Sequence, residues 1–127
     1  MKALSIREPW AWLILHAGKD IENRNWSCPA RGRIAIHASK TFDQQGYEYV
    51  RREFLDIVTP EPDEFQLGGI VGTVEHRGCV TDFFSRWFFG PVGHVLSDPK
   101  PCLFVPWPGR LFFFQVPDSV ISYVMGR

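Results

Sequence analysis

The apolar positions of the chain follow two periods, and the switches between them mark out the elements. Residues 2–6 read as a short first strand. Pro9 opens a helix over residues 9–17, in which Trp10, Leu13, Ile14 and Ala17 fall at i, i+3, i+4 and i+7. Trp12 and Leu15 make its other side apolar too, so the helix is expected to be well buried. Gly18 stands where a left-handed C-terminal cap belongs, and residues 19–25 continue as extended chain. Over residues 33–38 the alternation is clean: Ile34, Ile36 and Ala38 share one face, Arg33, Ala35 and His37 the other. Thr41-Phe42-Asp43-Gln44 has the form of a capping box. Behind it Tyr47, Val50, Phe54 and Ile57 make a helical stripe, weakened in its first turn by Gly46.

In the second half, residues 60–66 form an acidic, proline-containing loop. Residues 68–80 make the longest strand candidate. Ile70, Val74 and, through Gly72, His76 lie on one face; Val71, Thr73, Glu75 and Arg77 lie on the other. Residues 82–89 suit a short helical turn with Phe83, Phe84, Trp87 and Phe88 apolar, ended by Gly90-Pro91. Further strands are expected at 94–97 and 110–116, separated by a stiff loop over 98–109 that holds four prolines. Residues 118–123 suit a last helical turn. There is no internal repeat, low-complexity tract or boundary, so the pattern predicts one domain over residues 1–127, a small mixed barrel with helices interleaved early.

Composition changes this picture little. The 127 residues can bury one core without staples. No apolar run approaches the roughly 20 residues needed to span a bilayer, and Met1 leads straight into patterned sequence, so neither a membrane span nor a secretory leader is expected. Cys28, Cys79 and Cys102 are odd in number and far apart. They form no disulfide framework or CxxC pair, which fits a reducing, cytoplasmic setting. The four histidines and three cysteines never approach zinc-ligand spacing, so no metal or other cofactor is expected. There is no Walker-type loop and no GxSxG. Net charge is zero, yet residues 1–40 carry seven Lys/Arg against three Asp/Glu, while residues 41–90 carry four against nine. The basic excess points to a local site rather than a long nucleic-acid track.

That basic third holds the most informative stretch. A buried helix ends at Gly18, and Lys19, Glu22 and Arg24 follow within six residues. Ser5-Ile6-Arg7-Glu8-Pro9-Trp10-Ala11-Trp12 leads in, and Arg31-Gly32-Arg33-Ile34-Ala35-Ile36-His37-Ala38-Ser39-Lys40 follows. Together these resemble the ASCH family, a branch of the PUA-like barrels associated with RNA metabolism. The family's G-x-K-x-x-E-x-R motif is matched at Lys19, Glu22 and Arg24, with its glycine displaced by one residue to Gly18. Residues 68–75 are similar to a later family strand, and 90–96 to its GP stretch, with His94 where an aromatic is usual. The resemblance implies an α+β fold: a PUA-like, mainly antiparallel β-barrel with two or three helices packed on it.

The resemblance also implies two kinds of function. One is recognition of RNA, a nucleotide or a modified nucleoside in a cleft, with Ser5, Arg7, Trp10, Lys19, Glu22, Arg24, Trp26, His37 and Glu75 as binding residues. The other follows family members that hydrolyse N4-acylated cytidine nucleosides with a lysine, a threonine three residues on, and a later glutamate. Lys19 and Glu75 would fill two of those roles, but Glu22 stands in place of the threonine, giving Lys19, Glu22 and Glu75 as the catalytic set of an amidohydrolase or ribonuclease. Each residue has a structural reading as well. Lys19 can complement a helix dipole, Glu22 and Arg24 can be a surface pair, His37 can be a satisfied core histidine, and Trp26 can be a loop anchor or an exposed stacking surface. A lone Glu75 within an apolar strand calls for a partner. A protein-interaction module is a third reading, with a homodimer through the aromatics of residues 83–89.

Overall fold

The computed structural model describes residues 1–124; the last three positions of the expected domain lie outside the described residues. Six strands form one mixed sheet in the spatial order β2-β5-β4-β3-β1-β6. They are β1 (Lys2–Ile6), β2 (Ile21–Arg24), β3 (Gly32–Ala38), β4 (Gly69–Val80), β5 (Val92–Pro106) and β6 (Phe113–Gln115). Only β1 and β3 pair in parallel; every other neighbouring pair is antiparallel. With helices α1 (Trp10–His16) and α2 (Gln44–Glu53), this is an α+β, PUA-like half-barrel. Among the described residues no helix is long and apolar enough to cross a membrane.

Helix α1 lies where its all-round apolarity requires. Ile14, Leu15 and Ala11 pack on Leu4, Ile6, Ile34, Ile36, Val74 and Leu96 of the sheet. On its other side Leu13 meets Ile21, Val50 and Trp87, joining β2, α2 and the 82–89 segment. Full burial of each such aliphatic side chain stabilises the fold by roughly 1.5–3 kcal/mol. Gly18 follows the helix at φ +77, the left-handed geometry expected of it. This turn sends the chain back into β2 with Lys19 directed inward.

Three expectations are corrected. Helix α2 is capped by Asp43, whose side chain accepts from the Gly46 amide at 2.9 Å. Thr41 therefore does not form the capping box, and the helix ends at Glu53, leaving Phe54 and Ile57 as half-buried packing beyond it. Residues 82–89 make no helix; Trp87 is buried, Phe83 and Phe88 pack beside it, and Phe84 and Phe89 remain exposed. The stiff loop over 98–109 is mostly strand. Strand β5 runs through its first three prolines to Pro106 because pairing with β4 shifts register between Thr73 and Glu75 and again between Ile70 and Gly72. Prolines are accommodated where a bulge relieves the ladder of a missing donor.

Candidate functional site

The strand-order ends of the half-barrel, β2 and the β1–β6 side, come together through one side chain. Arg24 on β2 donates from Nη2 to the Ser5 carbonyl on β1 at 2.9 Å. Beside this contact opens a cleft of about 500 Å³ lined by Ser5, Ile6, Arg7, Trp10, Lys19, Glu22, Asn23, Arg24, Ser39, Phe89, Arg110, Leu111 and Phe112.

Its floor is a buried charge cluster. The Lys19 ammonium donates to the Ile21 carbonyl and to Glu22 Oε1, the latter at 3.1 Å. Arg24 Nε donates to Glu22 Oε2 at 3.0 Å. Lys19 is 4% exposed and Glu22 8%. Burial pulls the Lys19 pKa below the usual lysine range, with Glu22 opposing it. Burial alone would raise Glu22, but Lys19 and Arg24 together hold its carboxyl below the usual carboxylate range. The carboxylate is thus ionised and held in a fixed orientation. The ammonium keeps one of its three N–H groups uncommitted among these partners, and Arg24 keeps its Nη1 donors. Lys19 escapes strand alternation because it lies in the turn before β2, so it and Glu22 reach one point.

The rim alternates cations with apolar faces. Trp10 is pinned by its indole N–H to Asp43 Oδ2 at 2.9 Å, and the Lys19 ammonium lies 5.6 Å from its ring centre. Asn23 spends its amide on the 87–90 segment: Nδ2 donates to the Trp87 carbonyl, and Oδ1 accepts from the Phe89 and Gly90 amides. This holds Phe89, 56% exposed, at the edge of the cleft. Opposite stand Arg110, Leu111 and Phe112; Phe112 has φ +57, an uncommon conformation for a bulky residue. Arg7 is exposed at the mouth.

The sequence-predicted residues divide accordingly. Ser5, Arg7, Trp10, Lys19, Glu22 and Arg24 all line the cleft. Glu75 does not. It sits opposite Arg33 in the β3–β4 register, and Arg33 Nε donates to its Oε2 at 3.1 Å while also bonding Thr73 and Asp98. The partner that a lone carboxylate on this strand demands is Arg33, not Lys19. His37 is buried behind Ser5, its Nδ1 2.9 Å from Ser5 Oγ and its Nε2 2.6 Å from the Trp107 carbonyl, so it sets the Ser5 hydroxyl rather than facing the cleft. Trp26 packs edge-on against His94, Phe112 and Phe113. It anchors its loop and supports Phe112 from behind; it is not an open stacking surface. Sequence reasoning missed Asn23, Ser39, Phe89 and residues 110–112. Asn23 lies inside the charged motif and could have been singled out there, whereas the others reach the cleft through long-range folding alone.

A second polar cluster lies on the far side of Trp26. Cys28, His76, Cys79 and His94, separated by up to 66 positions, bring one ligand atom each to within 4.8 Å of one another. The expectation of no ligand spacing overlooks one local pair, His76 and Cys79 at H-x-x-C, while Cys28 and His94 join it through folding alone.

Comparison with known proteins agrees with the architecture. Residues 4–89 match the model of the ASCH domain. The chain is 27% identical over 104 residues, 76% of its length, to human (Homo sapiens) activating signal cointegrator 1, and 28% identical over 86 residues, 61% of its length, to the mouse (Mus musculus) protein of that name. It spans only a small part of those relatives, 17% of the human protein and 14% of the mouse one. With the family motif forming the floor of the cleft and the family match covering most of the chain, this protein belongs to the ASCH domain family.

Proposed function

We propose that the cleft binds a nucleotide or a short single-stranded RNA segment. The observation that carries this reading is the company its walls keep. Arg7, Lys19, Arg24 and Arg110 surround one fixed carboxylate, and exposed Phe89, Leu111 and Phe112 stand on the rim. A nucleotide offers matching chemistry: phosphate oxygens for the cations, a π face for the aromatics and an exocyclic amine for the Glu22 carboxylate. The free donors of Lys19 and Arg24 would meet phosphate or base carbonyl oxygens. Glu22, already oriented by both, would accept from the amine without further ordering. Ser5, positioned by His37, adds a hydroxyl that can donate or accept.

An amidohydrolase reading keeps one supporting feature, the buried Lys19 with its lowered pKa, which suits a general base. It lacks the threonine, and the glutamate implied as acid is committed to Arg33. Binding without turnover is therefore the expectation. Labelled oligoribonucleotides, titrated at increasing salt, should bind with affinity falling as salt rises. N4-acetylcytidine should survive incubation with the protein. Salt-independent binding, or no binding of any nucleotide, would overturn the proposal, and turnover of N4-acetylcytidine would promote the hydrolase.

A further inference from the structure

We propose that Cys28, His76, Cys79 and His94 form a structural zinc site, independent of what the cleft binds. Three elements build it. His76 and Cys79 lie on β4, His94 on β5 and Cys28 in the loop that leaves β2. Positions three apart on a regular strand point to opposite faces. Here the β4–β5 register shifts between His76 and Gly78, with Gly78 at φ +119, and the bulge turns Cys79 back to the side of His76. A side chain at 78 would be strained at that φ, and its Cβ would come within 2.6 Å of the Arg31 guanidinium. The register then places Cys79 directly across from His94.

The distances suit a metal. His76 Nε2 and His94 Nδ1 are 2.9 Å apart, Cys79 Sγ is 3.4 Å from His94 Nδ1, and the whole set falls within 4.8 Å. A tetrahedral zinc ion with two nitrogen and two sulfur ligands needs edges of about 3.3–3.8 Å. The two close pairs need shifts of about half an ångström or less to meet that, and the widest about 1 Å.

Hydrogen bonding around the ring nitrogens is the second, independent argument. His94 Nε2 lies 3.0 Å from the Trp26 carbonyl, and His76 Nδ1 3.0 Å from the Ala30 carbonyl. If both outward nitrogens donate to these carbonyls, the two inward nitrogens face each other at 2.9 Å as bare lone pairs. If His76 instead turns its proton inward, its Nδ1 can accept from the Gly78 amide at 3.2 Å but opposes the Ala30 carbonyl, acceptor to acceptor. Neither neutral arrangement satisfies every contact. A protonated His76 would bury a full charge at a residue 1% exposed. A cation between the inward lone pairs removes their opposition and keeps both carbonyl contacts, leaving just the Gly78 amide without Nδ1 as its acceptor. The outward N–H groups on backbone carbonyls are then the outer shell that fixes tautomer and ring orientation in metal-bound histidines. Both carbonyls belong to the loop that carries Cys28, so this loop supplies one ligand and orients two others.

Two thiolates and two neutral imidazoles favour zinc over hard cations such as magnesium or calcium. Binding would release the two thiol protons and leave the centre neutral, with all four positions taken by protein as in structural sites. Cys28 and Cys79 border an open cavity of about 580 Å³ that gives the ion a route in. The consequence is mechanical: the ion ties the loop of residues 25–31 to β4 and β5, and with it Trp26, which supports Phe112 at the rim of the cleft.

The test uses the full chain, purified under reducing conditions without chelator and desalted, with metals counted by mass spectrometry. One zinc per chain is expected. Cobalt(II) exchanged into the protein should give the intense ligand-field bands of a tetrahedral ion and a thiolate charge-transfer band. Cys28→Ser and Cys79→Ser should each lose most of the metal, while Cys102→Ser, outside the cluster, should retain it. The cobalt spectrum decides the matter in the unaltered protein even if a serine variant fails to fold. A chain that is metal-free and takes up neither zinc nor cobalt would overturn the proposal. So would full zinc retention in both serine variants, another resident metal, or a Cys28–Cys79 disulfide in protein prepared without oxygen.

Discussion

Two charge clusters of this molecule are assembled from nearly the same parts, and they do different work. Lys19, Glu22 and Arg24 sit at the floor of the cleft; Arg33, Glu75 and Asp98 lie along β3, β4 and β5. The first holds two cations to one anion, with the Lys19 and Glu22 side chains 3% and 11% exposed. The second sets Arg33 between two anions, with Lys100 reaching Asp98 at 3.9 Å so that its charges balance, and its Glu75 and Asp98 side chains are 31% and 59% exposed. Solvent reaches the carboxylates of the second cluster more freely than the one carboxylate of the first. On the proposed reading, a surplus of positive donors at the floor of a cleft suits a ligand's anion, whereas Arg33, already paired twice, has little left to offer. Residue type alone does not separate these clusters; burial and stoichiometry do.

The comparison breaks if both clusters respond alike to the loss of their central carboxylate. Glu22→Ala strips the buried Lys19 ammonium of its anion and leaves Arg24 facing it, and is expected to cost about 3–5 kcal/mol of stability. Glu75→Ala is expected to cost about 1 kcal/mol or less, because Asp98 and solvent still serve Arg33. Urea unfolding of the two variants beside the parent chain measures both, and equal losses would mean that burial is not the deciding term.

A third carboxylate sharpens the point. Glu8 is 3% exposed, as buried as Glu22, but among the described residues its side chain has only the Trp12 amide, at 2.7 Å, for company. Burial raises its pKa from 4.5 to about 7 despite that bond. The proton is therefore held more tightly in the folded chain than in the unfolded one. The resulting stabilisation is complete below about pH 4.5 and is lost as pH rises through about 7. Glu8→Gln should abolish this dependence and, above pH 7, gain up to about 3 kcal/mol relative to the parent. Thermal unfolding midpoints across that range provide the check; a parent chain that grows more stable from pH 5 to 7 while Glu8→Gln does not would contradict it.

The last comparison is of binding rather than stability. Lys19→Met keeps most of the side-chain volume and removes one cation from the cleft. It should weaken RNA or nucleotide binding by roughly tenfold, about 1.4 kcal/mol, and make the salt dependence shallower. Arg33→Met should leave both unchanged. Fluorescence anisotropy at several salt concentrations distinguishes them, and comparable losses in the two variants would place the binding surface outside the cleft.

Local pattern made the early part of the molecule readable. The doubly apolar helix, the Gly18 turn and the charges that follow it are close in sequence, so their arrangement depends on geometry within a few residues. Six of the nine predicted binding residues accordingly line one cavity. Some misreadings are local, such as the cap of α2, but those that bear on the site involve distant partners. The proline-rich stretch over 98–109, expected as a stiff loop, instead continues β5 to Pro106 because bulges in its pairing with β4 tolerate it. The family resemblance set Glu75 with Lys19 in one catalytic set, and strand register gave it Arg33 instead.

By itself, then, the sequence determined which segments must be buried, where the first helix ends and which charges cluster after it, because periodicity and turn chemistry act between near neighbours. Only the tertiary structure decided which charges share a cavity, that Phe89 and Phe112 reach its rim, and that Cys28, His76, Cys79 and His94 meet. Those meetings depend on register and on a bulge at Gly78. A one-residue change in strand pairing reverses the face that each side chain presents, and no spacing along the chain encodes that choice.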